Sequence, residues 1–209
     1  MLRVGLTGSI AVGKSYVSTV LAESGCHVID ADATAREVVT LGAPGLTKIA
    51  QTFGTGVLRK DGTLDRARLG ALVFADEEKR LLLNSILHPY IMEAQDKKLR
   101  EWGTLDPRGI GVVDAALMIE SGGYRRFDKL IVVHCRPEVQ LDRLMSRGGL
   151  SLDEAQARIA SQMPQEEKMS YADFLIDTSG DKAETRRQTE KVYAALEMSI
   201  DLESSKYKV

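Results

Sequence analysis

The residues with the clearest chemistry lie near the start of the sequence, where two glycines enclose four residues and are followed by a lysine and a serine. Gly8, Gly13, Lys14 and Ser15 fit the pattern G-x-x-x-x-G-K-[ST] of a phosphate-binding loop. In such a loop backbone N–H groups surround a phosphate, the lysine brings a cation to the β- and γ-phosphates, and the serine hydroxyl can bind Mg²⁺. The motif therefore predicts a site for a nucleoside triphosphate with Mg²⁺. A glycine-rich turn without a ligand is the alternative.

The surrounding pattern supplies the elements that this motif needs. An apolar run enters the loop, and a helical pattern with Val17, Val20 and Leu21 on one face leaves it. Further apolar runs alternate with helical patterns along the chain, which predicts an α/β fold with one five-stranded parallel sheet flanked by helices, as in P-loop NTPases. The expected strands are 2–6, 26–29, 110–114, 129–135 and 174–177.

Carboxylates follow two of these predicted strands. Asp30 and Asp32 come after the second, and Asp114 ends the third. Because ligands gather at the carboxyl ends of parallel strands, these groups are expected at the edge that carries the loop. Asp32, or less readily Asp30, could accept the proton of an acceptor hydroxyl or hold Mg²⁺ through water, and a helix cap is the alternative. Asp114 resembles a Walker B carboxylate that supports Mg²⁺, or it has only a capping role at the strand end.

Two arginines follow the fourth predicted strand. Gln140, Arg143 and Arg147 fall on one face of the next helix at spacings of three and four residues. Planar guanidinium groups suit the oxygens of a transferred phosphoryl group, so we predict a phosphate clamp there. A solvated helix face is the competing interpretation.

The remaining segments predict a single domain over residues 1–209 with two helical additions. His88 and Pro89 interrupt a long helical pattern, and we expect a new helix to begin at Pro89. Arg66 in the helical stretch could pair an anionic acceptor group, although ordinary solvated charge also explains it. The expected parts are a core of 1–40, 108–147 and 170–200, an acceptor-binding insertion of 44–105, and a lid of 148–168.

Composition limits the classes of protein to consider. A net charge of −2 over 209 residues gives no support to a nucleic-acid or membrane surface, so neither partner is expected. Cys26 and Cys135 lie in apolar runs and are expected to be buried, reduced thiols. With no membrane-length apolar stretch and no signal-peptide pattern, we expect a cytoplasmic location. The oligomeric state is left open.

The order and spacing of the motifs resemble those of the dephospho-coenzyme A kinase family over nearly the whole chain. Ser9 and Ala11 stand where that family has glycine, Tyr16 where it has Ser or Thr, and Thr178 where Asn is common. The matching pieces are G-L-T-G at 5–8, G-K-S at 13–15, V-I-D-A-D at 28–32, A-R-E-V-V at 35–39, F-G at 53–54, D-G-T-L-D-R at 61–66, L-H-P at 87–89, Q-L-D-R at 140–143, Gln162 and A-D at 172–173.

This resemblance implies ATP-dependent phosphorylation of the ribose 3′-hydroxyl of dephospho-coenzyme A, with Asp32 as general base and Arg143 approaching the ATP phosphates from the lid side. A GTPase switch is disfavoured because the tetrapeptide [NT]-K-x-D is absent from the sequence, and a nucleoside monophosphate kinase is the runner-up. The expected site residues are Lys14, Asp32 and Arg143 for catalysis; Gly8, Ala11, Val12, Gly13, Lys14, Ser15, Tyr16, Arg143 and Arg147 for the nucleotide; Asp32, Arg66 and His88 for the acceptor; and Ser15 and Asp114 for Mg²⁺.

Overall fold

The strand that leads into the phosphate-binding motif is the central strand of the sheet. The computed structural model describes residues 1–74 and 76–206. It contains one five-stranded sheet with the order β2-β3-β1-β4-β5, and β1 pairs in parallel with both β3 and β4. The strands are β1 (Leu2–Gly8), β2 (His27–Asp30), β3 (Ile110–Asp114), β4 (Lys129–His134) and β5 (Phe174–Asp177). The predicted fold class is confirmed.

Helices connect and flank the strands. Val17, Val20 and Leu21 of the first helix are completely buried, as their spacing predicts. The helices are α1 (Lys14–Glu23), α2 (Ala31–Glu37), α3 (Pro44–Phe53), α4 (Arg66–Phe74), α5 (Glu77–Leu105), α6 (Pro137–Gly148), α7 (Leu152–Ala160), α8 (Gln165–Met169) and α9 (Lys182–Lys206), with short 3-10 turns at Thr55–Val57 and Gly123–Arg126. Ser151 begins α7 with a complete capping box to Glu154, the motif that the sequence shows there.

The chain divides into two compact units, one of residues 1–29 with 101–209 and the other of residues 30–100. The first unit has a core in which apolar residues of β1, β3, β4 and β5 pack against α1 and α9. The second has its own apolar core, which includes Leu46, Ile49, Leu69 and Ile86. Each unit can therefore bury apolar side chains within itself.

One expectation about the second unit is wrong. No helix begins at Pro89, because α5 continues through it from Glu77 to Leu105. Proline removes one backbone donor, which deprives the carbonyl of Ser85 of its helical partner. Ser85 and Pro89 are both exposed, so water can bind that carbonyl, and the buried residues Ile86 and Leu99 hold the helix on either side.

Two further features bear on the class of protein. In the described part of the chain no helix is long and apolar enough to cross a membrane. Cys26 and Cys135 are buried free thiols, as expected. Burial raises the pKa of Cys26 to about 12, and burial also raises the pKa of Cys135.

Candidate nucleotide-binding site

The loop between β1 and α1 has the close approaches that its glycines permit. A Cβ on Gly8 would lie 2.5 Å from the carbonyl oxygen of Val133 on β4, so only glycine allows β1 to end there. Gly13 has φ 87° and occupies the N-cap position of α1. It therefore uses the left-handed region that glycine enters without a steric penalty. Beyond it, the N-terminal N–H groups of α1 are available to an anion.

Ala11 and Ser9 give this loop two unusual features. Ala11 has φ 63°, and it is the one non-glycine residue with a positive φ in the residues that the structure describes. A left-handed alanine costs roughly 1–2 kcal/mol relative to the right-handed form. The hydroxyl oxygen of Ser9 is buried, with no hydrogen-bond partner among the described residues.

The loop lysine contacts a carboxylate at the end of the neighbouring strand. Lys14 Nζ donates a hydrogen bond to Asp114 Oδ1, and the two side chains are only 18% and 12% exposed. Asp114 ends β3, so the pairing of β3 with β1 brings it to the loop. Two residues predicted for the site therefore meet, and exposed Ser15 follows Lys14 directly at the start of α1.

Arg143 of α6 lies beside the same loop. Its Nη1 and Nη2 atoms donate to Thr178 Oγ1 at 3.0 Å and to the Thr178 carbonyl at 2.7 Å. A Cβ on Gly13 would lie 3.5 Å from Arg143 Nη1, which shows how near the guanidinium is to the loop backbone. Thr178 Oγ1 in turn donates to the carbonyl of Val12 at 2.5 Å. One buried threonine thus positions both the arginine and the loop.

Thr178 was not among the predicted site residues. Its position contained a signal, because it follows β5 directly and so lies at the carboxyl edge of the sheet, where Asp30 and Asp114 were expected.

The other two predicted nucleotide contacts are Arg147 on α6 and Tyr16 on α1. Arg147 is exposed in the last turn of α6. The ring of Tyr16 lies 5.5 Å from Lys182 Nζ in a cation–π contact. Arg186 donates to Glu23 Oε2 at 2.5 Å, which places a second cation beside this face of α1. Its hydrogen bonds, first to Glu23 and second to Tyr16, raise the pKa of Arg186.

Lys168 is a site neighbour that the sequence analysis missed. Its side chain is completely buried; Nζ lies 2.7 Å from Glu120 Oε1 and donates to the carbonyl of Ala116 at 3.1 Å. The same carbonyl accepts a hydrogen bond from Thr7 on β1 at 3.1 Å. Lys168 therefore fixes the segment that follows Asp114. A lysine beside two glutamates in a short polar helix gave no signal of burial.

The second unit contains the remaining predicted residues. Asp30 is the N-cap of α2, where one carboxylate oxygen accepts from the N–H groups of Asp32 and Ala33 at 2.7 and 3.1 Å. The capping alternative therefore belongs to Asp30, and Asp32 is an exposed residue of the first turn. Arg66 begins α4 and donates to the Arg36 carbonyl of α2 at 3.5 Å. His88 is exposed in the middle of α5.

Comparison with known proteins shows the family. The family model for dephospho-CoA kinase matches residues 2–184. The chain belongs to the dephospho-CoA kinase family. It is 48% identical over 187 residues to the dephospho-CoA kinase of Carboxydothermus hydrogenoformans, covering 88% of this chain and 89% of the relative. It is 47% identical over 189 residues to that of Bacillus cereus, covering 90% and 94%.

Solved structures agree with this family. A crystal structure of a Thermus thermophilus protein has a TM-score of 0.79 at 29% identity and covers 93% of this chain and 96% of its own. The dephospho-CoA kinase of Campylobacter jejuni has a TM-score of 0.61 at 32% identity, with the same coverage. A shikimate kinase of Bacteroides thetaiotaomicron, at 16% identity and a TM-score of 0.50, shares only the fold. The nucleotide substrate implied by the family and its P-loop is ATP.

Proposed function

We propose that this chain transfers the γ-phosphoryl group of ATP to the ribose 3′-hydroxyl of dephospho-CoA, giving CoA and ADP in the last step of CoA biosynthesis. The observation that carries the proposal is the loop Gly8–Ser15 with its lysine held by Asp114, in a member of the dephospho-CoA kinase family. We place the reaction in the cytoplasm, since the two buried free thiols fit a reducing compartment.

The two cations beside the loop would balance the charge of the reacting phosphates. Phosphoryl transfer has a loose transition state with charge on the equatorial oxygens, so catalysis depends on positioning and on fixed positive charge. Lys14 is the first residue of α1, and Arg143 is anchored by two hydrogen bonds to Thr178. Five N–H donors belong to a guanidinium, so Arg143 retains donors for phosphate after those two contacts.

Asp32 is our proposed general base for the acceptor hydroxyl. Its carboxylate is exposed, and the capping of α2 is done by Asp30. Asp32 is therefore available to orient the 3′-hydroxyl and to take its proton as the oxygen attacks the γ-phosphorus. Arg66 and His88 are our proposed acceptor contacts in the same unit.

The oxygen atoms near the loop fit Mg²⁺. Ser15 and Asp114 offer a hydroxyl and a carboxylate, the hard oxygen donors that Mg²⁺ prefers, and Lys14 links Asp114 to the loop. Among the side chains that the structure describes, in residues 1–74 and 76–200, no group of three His, Cys, Asp or Glu suited to a metal occurs. Mg²⁺ at such a site usually takes several ligands from phosphate and water. When bound, Mg²⁺ would neutralise charge on the β- and γ-phosphate oxygens.

A coupled ADP-release assay with Mg·ATP tests the reaction. We would compare dephospho-CoA with AMP, with CMP and with no acceptor, and identify the product by mass spectrometry. Release that depends on dephospho-CoA, with CoA as product, is the expected result. Faster turnover with a nucleoside monophosphate would reassign the acceptor, and nucleotide binding without acceptor-dependent release would disprove a kinase.

A matched pair of variants tests the base. Asp32→Asn removes the proton acceptor and is expected to lower kcat by about 100-fold or more. Asp30→Asn removes a carboxylate two residues away, but asparagine caps a helix about as well as aspartate, so the fold is retained. If the two variants lose activity equally, Asp32 is not the base.

A further inference from the structure

The backbone N–H and the backbone carbonyl of Ile10 both form hydrogen bonds with glutamine side chains. The Ile10 N–H donates to Gln162 Oε1 at 2.8 Å, and the Ile10 carbonyl accepts from Gln140 Nε2 at 2.8 Å. Ile10 stands inside the phosphate-binding loop, whereas Gln140 lies on α6 and Gln162 lies between α7 and α8. Two side chains from distant parts of the first unit thus grip one residue of the loop.

The hydrogen bonds continue to the end of β4. Gln165 Nε2 donates to Gln140 Oε1 at 2.9 Å, and Gln165 Oε1 accepts from the N–H of Cys135 at 3.1 Å. We call Gln140, Gln162 and Gln165 the glutamine relay. Because a backbone N–H only donates and a carbonyl only accepts, the contacts fix which end of each amide faces which partner. Gln140 is only 2% exposed, so water cannot replace its contacts.

The hydrogen bond from Gln140 to the Ile10 carbonyl lies next to Ala11, the residue of the loop with a left-handed backbone. The Ile10 carbonyl belongs to the peptide that joins Ile10 to Ala11, and the φ angle of Ala11 is measured from that peptide. Fixing the carbonyl therefore restricts the rotation by which Ala11 would leave its left-handed conformation. Strained backbone persists where the surrounding structure over-determines it, and the relay provides that restraint.

We propose that the glutamine relay positions the phosphate-binding loop by holding the two peptides on either side of Ile10 in their nucleotide-binding orientation. Gln140 and Gln162 are positioning residues: Gln162 acts through the Ser9–Ile10 peptide, and Gln140 acts through the Ile10–Ala11 peptide. The inference rests on the loop's proposed role in binding ATP, but it does not depend on the identity of the acceptor.

Variants of Gln162 provide the test, because this residue only accepts in the relay. Gln162→Glu keeps a side-chain oxygen for the Ile10 N–H, whereas Gln162→Met keeps the length and removes the acceptor. We would measure ATP affinity by calorimetry without acceptor, the KM values of both substrates, and the melting temperature. We expect Gln162→Met to weaken ATP binding about five- to tenfold, the effect of one hydrogen bond, with the KM of dephospho-CoA nearly unchanged. At high ionic strength, which screens the added negative charge of the glutamate, Gln162→Glu should restore ATP affinity to within about twofold.

Two results would overturn the proposal. In the first, the Gln162→Met variant melts normally and binds ATP as the wild type does. In the second, Gln162→Glu binds ATP as weakly as Gln162→Met even at high ionic strength. A chain that binds ATP and responds to these variants but ignores dephospho-CoA would contradict only the proposed acceptor. Failure of the wild type to bind ATP would contradict the proposed function itself.

A second comparison tests the link to Ala11. Glycine enters the left-handed region freely, so in an Ala11→Gly background the loop needs less restraint. The loss of ATP affinity caused by Gln140→Met, which removes the donor to the Ile10 carbonyl, should then be smaller than it is with Ala11 present. If the two substitutions have simply additive effects, the relay does not act through the strain at Ala11.

Discussion

Lys168 and Glu120 allow a sharp prediction, because the two partners of this ion pair differ in exposure. The Lys168 side chain is 1% exposed and that of Glu120 is 24% exposed. Lys168→Met removes the buried charge and leaves Glu120 able to turn toward water. Glu120→Gln does the reverse, because it leaves an ammonium group inside the protein without a countercharge.

The magnitudes follow from this asymmetry. Removing one partner of a buried pair costs about 3–5 kcal/mol when the other charge stays buried, and we expect about 3 for Glu120→Gln because its amide oxygen still accepts from Lys168. Lys168→Met loses charged hydrogen bonds to Glu120 and to the Ala116 carbonyl, each worth about 1.5–3 kcal/mol. It also relieves the cost of burying an ammonium group, which leaves a net loss of about 2 kcal/mol.

Urea unfolding, followed by the fluorescence of Trp102 and by circular dichroism, gives both free energies. Glu120→Gln should be the less stable variant by about 1 kcal/mol. Lys129→Met is a matched control, since Lys129 forms a half-exposed pair with Asp173 and should change the free energy of unfolding by less than about 1 kcal/mol. If Lys168→Met is the more destabilised of the first two, or if both are neutral, the asymmetric burial of this pair does not govern its energetics.

Three further predictions concern Thr178, Ala11 and the thiol of Cys26. Thr178→Val keeps the shape of the side chain but removes the hydroxyl bonds to Val12 and to Arg143 Nη1, leaving only the bond from Arg143 Nη2 to the Thr178 carbonyl. The KM for ATP should therefore rise about tenfold, whereas Thr178→Ser should stay near the wild-type value. Ala11→Gly should raise the free energy of unfolding by about 0.5 kcal/mol, because relief of the left-handed conformation exceeds the added chain entropy, and a loss of stability would contradict this. Cys26, whose pKa burial raises to about 12, should react with a disulfide reagent at pH 8 at least about 100-fold more slowly in the native protein than in urea. The pKa of this thiol is higher in the folded state than its ordinary value of 9.0. Its contribution to the free energy of unfolding is therefore present below pH 9 and is lost as the pH rises toward 12.

The strands and the loop could be predicted because their signals are local. Apolar runs mark β1, β3 and β4, and the motif at Gly8–Ser15 fixes where β1 gives way to α1. The same local reasoning failed at Pro89, where buried neighbours in a long helix outweigh one missing hydrogen bond.

The parts of the site that the sequence did not indicate depend on contacts between distant residues. Thr178 meets Val12 across 166 positions, and Lys168 meets Ala116 across 52. A lysine in a polar helix looks ordinary until the chain is folded, and the position of Thr178 after β5 indicates the sheet edge but not the groups that its side chain contacts. Ala11 differs from these two, because it stands where the resembled family has glycine, a residue that permits a left-handed backbone, although its φ of 63° is known only from the structure.

The central position of β1 has a consequence for the growing chain on the ribosome. Leu2 pairs with Ile110, and Val4 pairs with Lys129, so β1 cannot find either neighbouring strand until the chain has been synthesised as far as residue 110. At about 5–20 residues per second this is a wait of roughly 5–20 s. During that time residues 30–100, which have their own apolar core, can collapse first. β1 and its loop are therefore synthesised before residues 30–100 but find their strand partners only after them, and a chaperone that binds extended apolar segments would find a target in β1 during this interval.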